Sequence, residues 1–243
     1  MDALPRNATG KLLDHATRAL LAIQLASRPG VLPAYDRDLL SRELALFPEW
    51  YLQGLLGLEP DAGERRMLRD LFECLGASAL EQPQVLVHRD YHSRNLMRTD
   101  ATGAGNPGII DFQDAVFGPI SYDMVSLLKD AYIEWDEELA LDWLVRYWEA
   151  ARKAGLPVPG DFGKFFRDYE WMGVQRHLKV LGIFARLYHR DGKDGYLKDL
   201  PLVARYLRKA CERYAELSPL RKLLDKVEDK ITVLGYSMDK PAA

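Results

Sequence analysis

Helical periodicity runs through this chain with one interruption. Apolar residues recur every three to four positions on either side of the stretch after Pro83 and before Gly118-Pro119, and within it they do not. The interruption holds only short β-type runs, too few and too brief to build a layered sheet, so the chain must be a helical body carrying a small β insert. Ahead of it, Leu12, Leu13, Ala16, Ala19, Leu20 and Ile23 mark a helix over 11–26, ended by Ser27-Arg28-Pro29-Gly30. A second helix is expected over 37–47 with Asp36 as N-cap. A third begins at Asp61, where Glu64 completes a capping box and Leu68, Leu71, Phe72 and Leu75 form the apolar face. Inside the interruption, Val85-Leu86-Val87, Asn95-Leu96-Met97 and Gly108-Ile109-Ile110 are the short runs, and Thr102–Pro107 supplies turn residues between the last two. This pattern predicts a strand, an irregular loop and a hairpin packed on helices. Further helices are expected over 121–133, over 137–154 between Asp136 and Gly155, over 162–189, and from Asp199 with Pro201 in its first turn. The 162–189 segment is apolar nearly all round, which predicts a buried helix. The tail from 231 reads as frayed. The expected class is mainly α with a small β-hairpin element.

At 243 residues the chain can form one domain or two small ones with a sizeable core. Its 33 Lys and Arg against 36 Asp and Glu leave a net charge of -3, which excludes the cationic field that tight nucleic-acid binding needs. Cys74 and Cys211 have no metal-like spacing and read as small buried hydrophobes in a reducing compartment. The N-terminus shows no basic-then-apolar leader, and no apolar stretch reaches about 18 residues, so a cytoplasmic protein without a membrane span is expected.

The chemistry concentrates in His88-Arg89-Asp90-Tyr91-His92-Ser93-Arg94-Asn95 and in Ile110-Asp111-Phe112-Gln113-Asp114. An Asp and an Asn stand five residues apart in a loop after a strand, and a second Asp follows the hairpin. Phosphoryl transfer needs this set. One carboxylate orients the attacking hydroxyl and accepts its proton, while a carboxylate and an amide oxygen hold Mg²⁺ against nucleotide phosphates. Either loop alone offers too few ligands, and two adjacent loops suffice.

The same residues resemble the catalytic loop (88–95) and metal loop (110–114) of the protein-kinase-like fold. The His-x-Asp-x-His-x-x-Asn form, and the run from Ile110 through Gly118-Pro119 to Tyr122-Asp123, are similar to the aminoglycoside phosphotransferase family. Phe112 is followed by Gln113 rather than Gly, and no activation segment intervenes, which sets the chain apart from protein kinases. Within the family, Val87–Met97 and Trp171–Leu187 resemble the bacterial anomeric amino-sugar kinases, which phosphorylate N-acetylmuramate and N-acetylglucosamine in cell-wall recycling. The resemblance implies ATP and Mg²⁺ as cofactors and a small hydroxyl substrate. It assigns Asp90 as catalytic base and Asn95 and Asp111 as metal ligands. His88 orders the loop, and Asp123 holds it through backbone N–H groups. His92 either faces the phosphates or braces the loop. Arg94 and Arg176 are candidates for an acidic sugar substituent, because guanidinium pairs with carboxylate through two bonds. His177 reads as a core histidine. Trp135, Trp143, Tyr147 and Trp148 read as core, with a sugar-stacking wall as the alternative.

The resemblance also implies that this is the large, C-terminal lobe alone. A small β lobe would add a phosphate-covering loop and a strand lysine, and neither motif is found here. Met1–Pro5 resembles the segment just after the inter-lobe hinge. The expectation is one helical lobe over 1–243, impaired in turnover, whose face normally covered by the small lobe could self-associate. The competing readings are a kinase for an aminoglycoside, choline or homoserine, and a noncatalytic lobe remnant acting as a binding module. Arg176, Lys179, Arg186 and Arg190 favour a neutral or anionic substrate over a polycation.

Overall fold

The computed structural model describes residues 6–99 and 106–233. Residues 102–105 of the expected Thr102–Pro107 turn, the segment Met1–Pro5 and the tail beyond 233 lie outside the described residues. In chain order the elements are α1 (Arg6–Leu25), α2 (Arg37–Leu46), a π-helical continuation (Phe47–Leu55), α3 (Ala62–Glu81), β1 (Gln84–Val87), a 3₁₀ turn (Ser93–Asn95), β2 (Leu96–Met97), β3 (Gly108–Ile109), β4 (Val116–Pro119), α4 (Tyr122–Leu128), α5 (Glu137–Lys153), α6 (Phe162–Asp191), α7 (Leu200–Arg213) and α8 (Ser218–Val233), with short 3₁₀ turns flanking α7. The chain is mainly helical with two small antiparallel β pairs, as its periodicity requires. Two compact units divide it: 1–35 with 82–169, and 36–81 with 170–243.

The first unit is built around β1 and β4, which run antiparallel from Gln84↔Pro119 to Val87↔Val116. The Pro33–Tyr35 segment joins them, since Tyr35 N–H donates to the Phe117 carbonyl and Phe117 N–H to the Pro33 carbonyl, both at 2.8 Å. Gly118 is required at this crossing, because a Cβ there would lie 2.9 Å from the Tyr35 Cβ. Sequence pattern did not reveal β4: its last two residues are Gly-Pro, a turn dipeptide, and its strand character comes only from pairing with β1. Leu20, Val87, Tyr91, Tyr122, Val125, Tyr147 and Phe165 form the core. Buried hydroxyls find partners: Tyr91 donates to the Ala16 carbonyl at 2.7 Å and Tyr147 to Gln24 Oε1 at 2.6 Å. Trp135 and Trp148 also donate their indole N–H groups to carbonyls, of Leu127 and Pro159, so the aromatic set on and beside α5 serves packing. The helix expected over 121–133 stops at Leu128, because Lys129 leaves helical geometry and Asp130 turns the chain.

The second unit contains α2, α3, the later part of α6, α7 and α8. Asp36 caps α2 by accepting from Leu39 N–H at 2.8 Å, and Asp61 and Glu64 form the reciprocal capping box at 2.8 and 2.9 Å. Leu40, Leu44, Phe47, Leu52, Leu75, Leu178, Leu181, Val203, Leu207 and Leu224 fill its core. Helix α6 crosses the backbone of Leu46 at Gly182, where a Cβ would sit 2.5 Å from the Leu46 carbonyl carbon and oxygen. His177 is buried and stacked on Tyr206, as a core histidine should be. Of the two cysteines only Cys211 is buried; Cys74 is exposed on α3, contrary to expectation, because it falls off that helix's Leu68–Leu71–Leu75 face.

Candidate active site

The site is assembled where β1 ends and where the β2–β3 pair ends, both in the first unit. Leaving β1, the chain turns under the carboxylate of Asp123, which sits in the first turn of α4 with no solvent exposure. Asp123 accepts the N–H of His88 at 2.8 Å and of Arg89 at 3.0 Å. Arg89 adopts φ +73°, a left-handed conformation unfavourable for a side chain with a Cβ. Its surroundings hold it there: beyond the Asp123 bond, its carbonyl accepts from Ser126 Oγ at 3.3 Å and its Nη1 donates to the Asp114 carbonyl at 3.2 Å. His88 is buried, and burial pushes its imidazole below the usual histidine range against the opposing pull of Asp90, the Ile110 carbonyl and Asp111. Its ring lies edge-on to Tyr91 at 5.8 Å.

Asp90 follows, half-buried, and its carbonyl accepts from His92 N–H and from Asn95 Nδ2, each at 3.0 Å. Ser93–Asn95 forms the 3₁₀ turn that carries Asn95 inward, leaving it 8% exposed. From Asn95 the chain enters β2, paired Leu96↔Ile109 and Met97↔Gly108 with β3, and this register delivers Asp111 beside Asn95. Ile110 N–H donates to the Asn95 carbonyl at 3.2 Å, and Asn95 Nδ2 lies 3.3 Å from Asp111 Oδ2. Asp111 also has a left-handed backbone, φ +69°, and its Oδ1 accepts from Gln113 Nε2 at 2.9 Å. The structure thus joins Asp90, Asn95 and Asp111 through one side chain: Asn95 touches the backbone of the first and the carboxylate of the third.

Two residues that the sequence reading overlooked hold the second half of the loop. Asp130, fully buried, accepts Ser93 N–H through Oδ2 and Tyr132 N–H through Oδ1, both at 2.9 Å. The Tyr132 ring meets the His92 ring edge-to-face at 5.3 Å and carries the Arg94 guanidinium 3.5 Å above its centroid. His92 and Arg94 are both positioned by that ring. The available signal was an Asx turn, an Asp accepting the N–H two residues on, concealed by the helical look of 121–133. Arg176 lies on α6 in the second unit, 4% exposed.

Among the described residues no group of three or more His, Cys, Asp or Glu side chains could cage a metal. The Asn95 amide and Asp111 carboxylate are instead two adjacent oxygen-donor groups. That set fits Mg²⁺, which prefers hard oxygen ligands and leaves most of its octahedron to water and phosphate.

Residues 2–157 match the phosphotransferase enzyme family. The chain is 56% identical over 227 residues to N-acetylmuramate/N-acetylglucosamine kinase of Neisseria meningitidis, covering 93% of this chain and 67% of that protein. It is 48% identical over 224 residues to the protein of the same name from Pseudomonas aeruginosa, covering 92% and 65%. The chain therefore spans about two thirds of the length of these relatives. Among solved structures, ethanolamine kinase of Plasmodium vivax superposes with a TM-score of 0.55 at 15% identity, over 87% of this chain and 63% of that one, a likeness of fold. On the family match and the identities together, the chain belongs to the phosphotransferase enzyme family.

Proposed function

We propose that this protein works as an ATP-dependent kinase of an amino sugar, N-acetylmuramate or N-acetylglucosamine, with Mg²⁺ as the metal and the cytoplasm as its compartment. The observation that carries the reading is the contact of Asn95 with both Asp90 and Asp111, which brings the two loops side by side. The names of the two bacterial relatives support the choice of sugar. Asp90 accepts a hydrogen bond from the sugar hydroxyl, aims its oxygen at the γ-phosphorus and takes its proton as the new O–P bond forms and the bond to the nucleotide diphosphate breaks. Asn95 and Asp111 would hold the metal through the amide oxygen and the carboxylate. When bound, Mg²⁺ neutralises charge on the phosphates during transfer. Asp123 and Asp130 act through the backbone, keeping the loop's donors and acceptors where the reacting groups need them.

The test is phosphate transfer from ATP followed by ³¹P NMR, with both amino sugars, choline and an aminoglycoside offered separately. The expected product is a sugar 1-phosphate from the amino sugars alone, with turnover reduced about 10²–10⁴-fold in Asp90→Asn. Product on choline or the aminoglycoside instead, or undiminished turnover in Asp90→Asn, would overturn the reading.

A further inference from the structure

Among the described residues, Arg89 and Asp111 are the only non-glycine positions with a left-handed backbone. Asp enters that region with little penalty, because its short side chain can hydrogen-bond locally, whereas a long side chain such as Arg does not. Glycine would take φ +73° freely. An arginine there is therefore kept against a local cost, and such outliers collect where the side chain has a task. The task is legible at the end of the Arg89 side chain. Its Nη1 donates to the Asp114 carbonyl at 3.2 Å, joining the catalytic loop to a segment 25 residues further on. Asp114 belongs to a turn over 112–115, closed by Ala115 N–H donating to the Phe112 carbonyl at 3.1 Å. Gln113 stands in the same turn with an exposed side chain that reaches back, and its Nε2 donates to Asp111 Oδ1 at 2.9 Å. The other oxygen of that carboxylate, Oδ2, lies 3.3 Å from Asn95 Nδ2. One oxygen of Asp111 is thus held directly by the catalytic loop, and the other by a turn that the catalytic loop grips through Arg89.

We propose that Arg89 is a positioning residue: its guanidinium is a strut that sets the 112–115 turn against the catalytic loop, so that Gln113 fixes the direction of the Asp111 carboxylate. The backbone of Arg89 is anchored independently, by Asp123 at its N–H and by Ser126 Oγ at its carbonyl. The base of the strut is therefore rigid, and a displacement of the turn has to stretch the contact with Asp114. Arginine suits the role, since its planar fork loses less freedom per hydrogen bond formed than the flexible ammonium of Lys. A carboxylate aimed before any ligand arrives is the condition that phosphoryl transfer places on a metal ligand, because positioning supplies most of its catalysis. The proposal rests on the sugar-kinase reading only for its kinetic measurements.

The decisive variant is Arg89→Gly, which keeps the left-handed backbone at no steric cost and removes only the side chain. Amide hydrogen exchange of the ligand-free protein is read at Ala115, whose N–H closes the turn, and at His88, whose N–H is held by Asp123. Ala115 should exchange about 10-fold faster in Arg89→Gly while His88 stays at the parent rate. Arg89→Lys, which keeps the charge, should recover part of the protection. With ATP and an amino sugar, Arg89→Gly and Gln113→Leu should each lower kcat about 10-fold with little change in the sugar KM. The variant carrying both should lose no more than the weaker of the two, because both residues act on one carboxylate. Parent-level exchange at Ala115 in Arg89→Gly would overturn the proposal. Equal acceleration at His88, or loss of folding, would also overturn it, by showing that the side chain serves the stability of the whole loop. Unchanged kcat in Arg89→Gly, or losses that add in the double variant, would do the same. If the parent phosphorylates neither amino sugar, the sugar-kinase reading fails, and exchange at Ala115 against His88 decides the strut by itself.

Discussion

The clamp beneath the catalytic loop can be tested through Asp123. Its carboxylate has no solvent exposure and accepts two backbone N–H groups, from His88 at 2.8 Å and Arg89 at 3.0 Å. Asp123→Asn preserves shape but turns one acceptor into an NH₂ donor, which then opposes an N–H. One charge-assisted bond is lost, about 1.5–3 kcal/mol, and a second buried donor is left unsatisfied, about 1–3 kcal/mol. Removing a buried negative charge returns part of this, so a net loss of about 2–4 kcal/mol is expected. With an urea slope of about 1–3 kcal/mol per molar, the unfolding midpoint should fall by roughly 1–2 M. Because the chain has two compact units, a global midpoint can mix two transitions. Amide hydrogen exchange at His88 and Arg89 supplies the local measure and should accelerate by about 10¹–10³-fold, the same free energy at those sites. Arg89 at φ +73° has to relax once its tie to Asp123 goes, so kcat should fall more than KM changes. An Asp123→Asn protein with the parent midpoint and parent exchange at both amides would refute the argument that this carboxylate bears the loop.

Two glycines in helices should respond to the same substitution with opposite signs. Gly182→Ala should destabilise by about 1–2 kcal/mol, because a Cβ 2.5 Å from the Leu46 carbonyl outweighs the helix-propensity gain of about 1 kcal/mol. Gly76→Ala meets nothing within 4 Å and should stabilise by about 0.5–1 kcal/mol, so urea unfolding of the two variants decides the point. His88 is expected to make stability pH-dependent. Its imidazole is held below the unfolded value near 6.5, so between the two values the unfolded chain binds the extra proton, and stability is lost as pH falls through and below about 6.5. His88→Gln should flatten urea midpoints across that window; an unchanged slope would contradict burial as the cause. Finally, burial pushes the Cys211 thiol up to about 12 while Cys74 is exposed, so a thiol reagent should modify one cysteine in the native protein and both only after unfolding.

How far the sequence could be read follows from the range of the forces involved. Capping of α2 by Asp36 and of α3 by Asp61 and Glu64 is decided within four residues, so these starts were visible in the chain itself. The reacting residues were visible too, since phosphoryl transfer restricts their identity and spacing rather than their surroundings. Strand β4 was not, because Val116-Phe117-Gly118-Pro119 is a strand only through partners at 84–87 and 33–35. Helix α8 and the π-helical stretch 47–55 are not legible either; the latter begins just after Leu46, which meets Gly182, 136 residues away in the chain.

The braces of the site separate in the same way, and the separation has a physical origin. Asp90, Asn95 and Asp111 must present charge or oxygen donors to a ligand, so few residue types can replace them. Asp123 and Asp130 present oxygens only to backbone N–H groups, which every residue but proline supplies, so no residue types at their partner positions betray them. Asp123 was recognisable because it lies in a motif that continues from Gly118-Pro119. Asp130 had no such motif, and its helical neighbours concealed it. Yet the two are equivalent in the fold: one buried carboxylate fixes the entry to the loop at 88–89 and the other fixes its exit at 93, with Asp90 held between them and Asn95 just beyond, tied back to the Asp90 carbonyl. Six residues of loop with a left-handed residue at the second position would otherwise sample many conformations, and restricting each backbone residue costs about 1–2 kcal/mol. The buried carboxylates on and just after α4 meet that requirement in the protein before any ligand arrives, so the binding energy of nucleotide and sugar need not be spent ordering the loop.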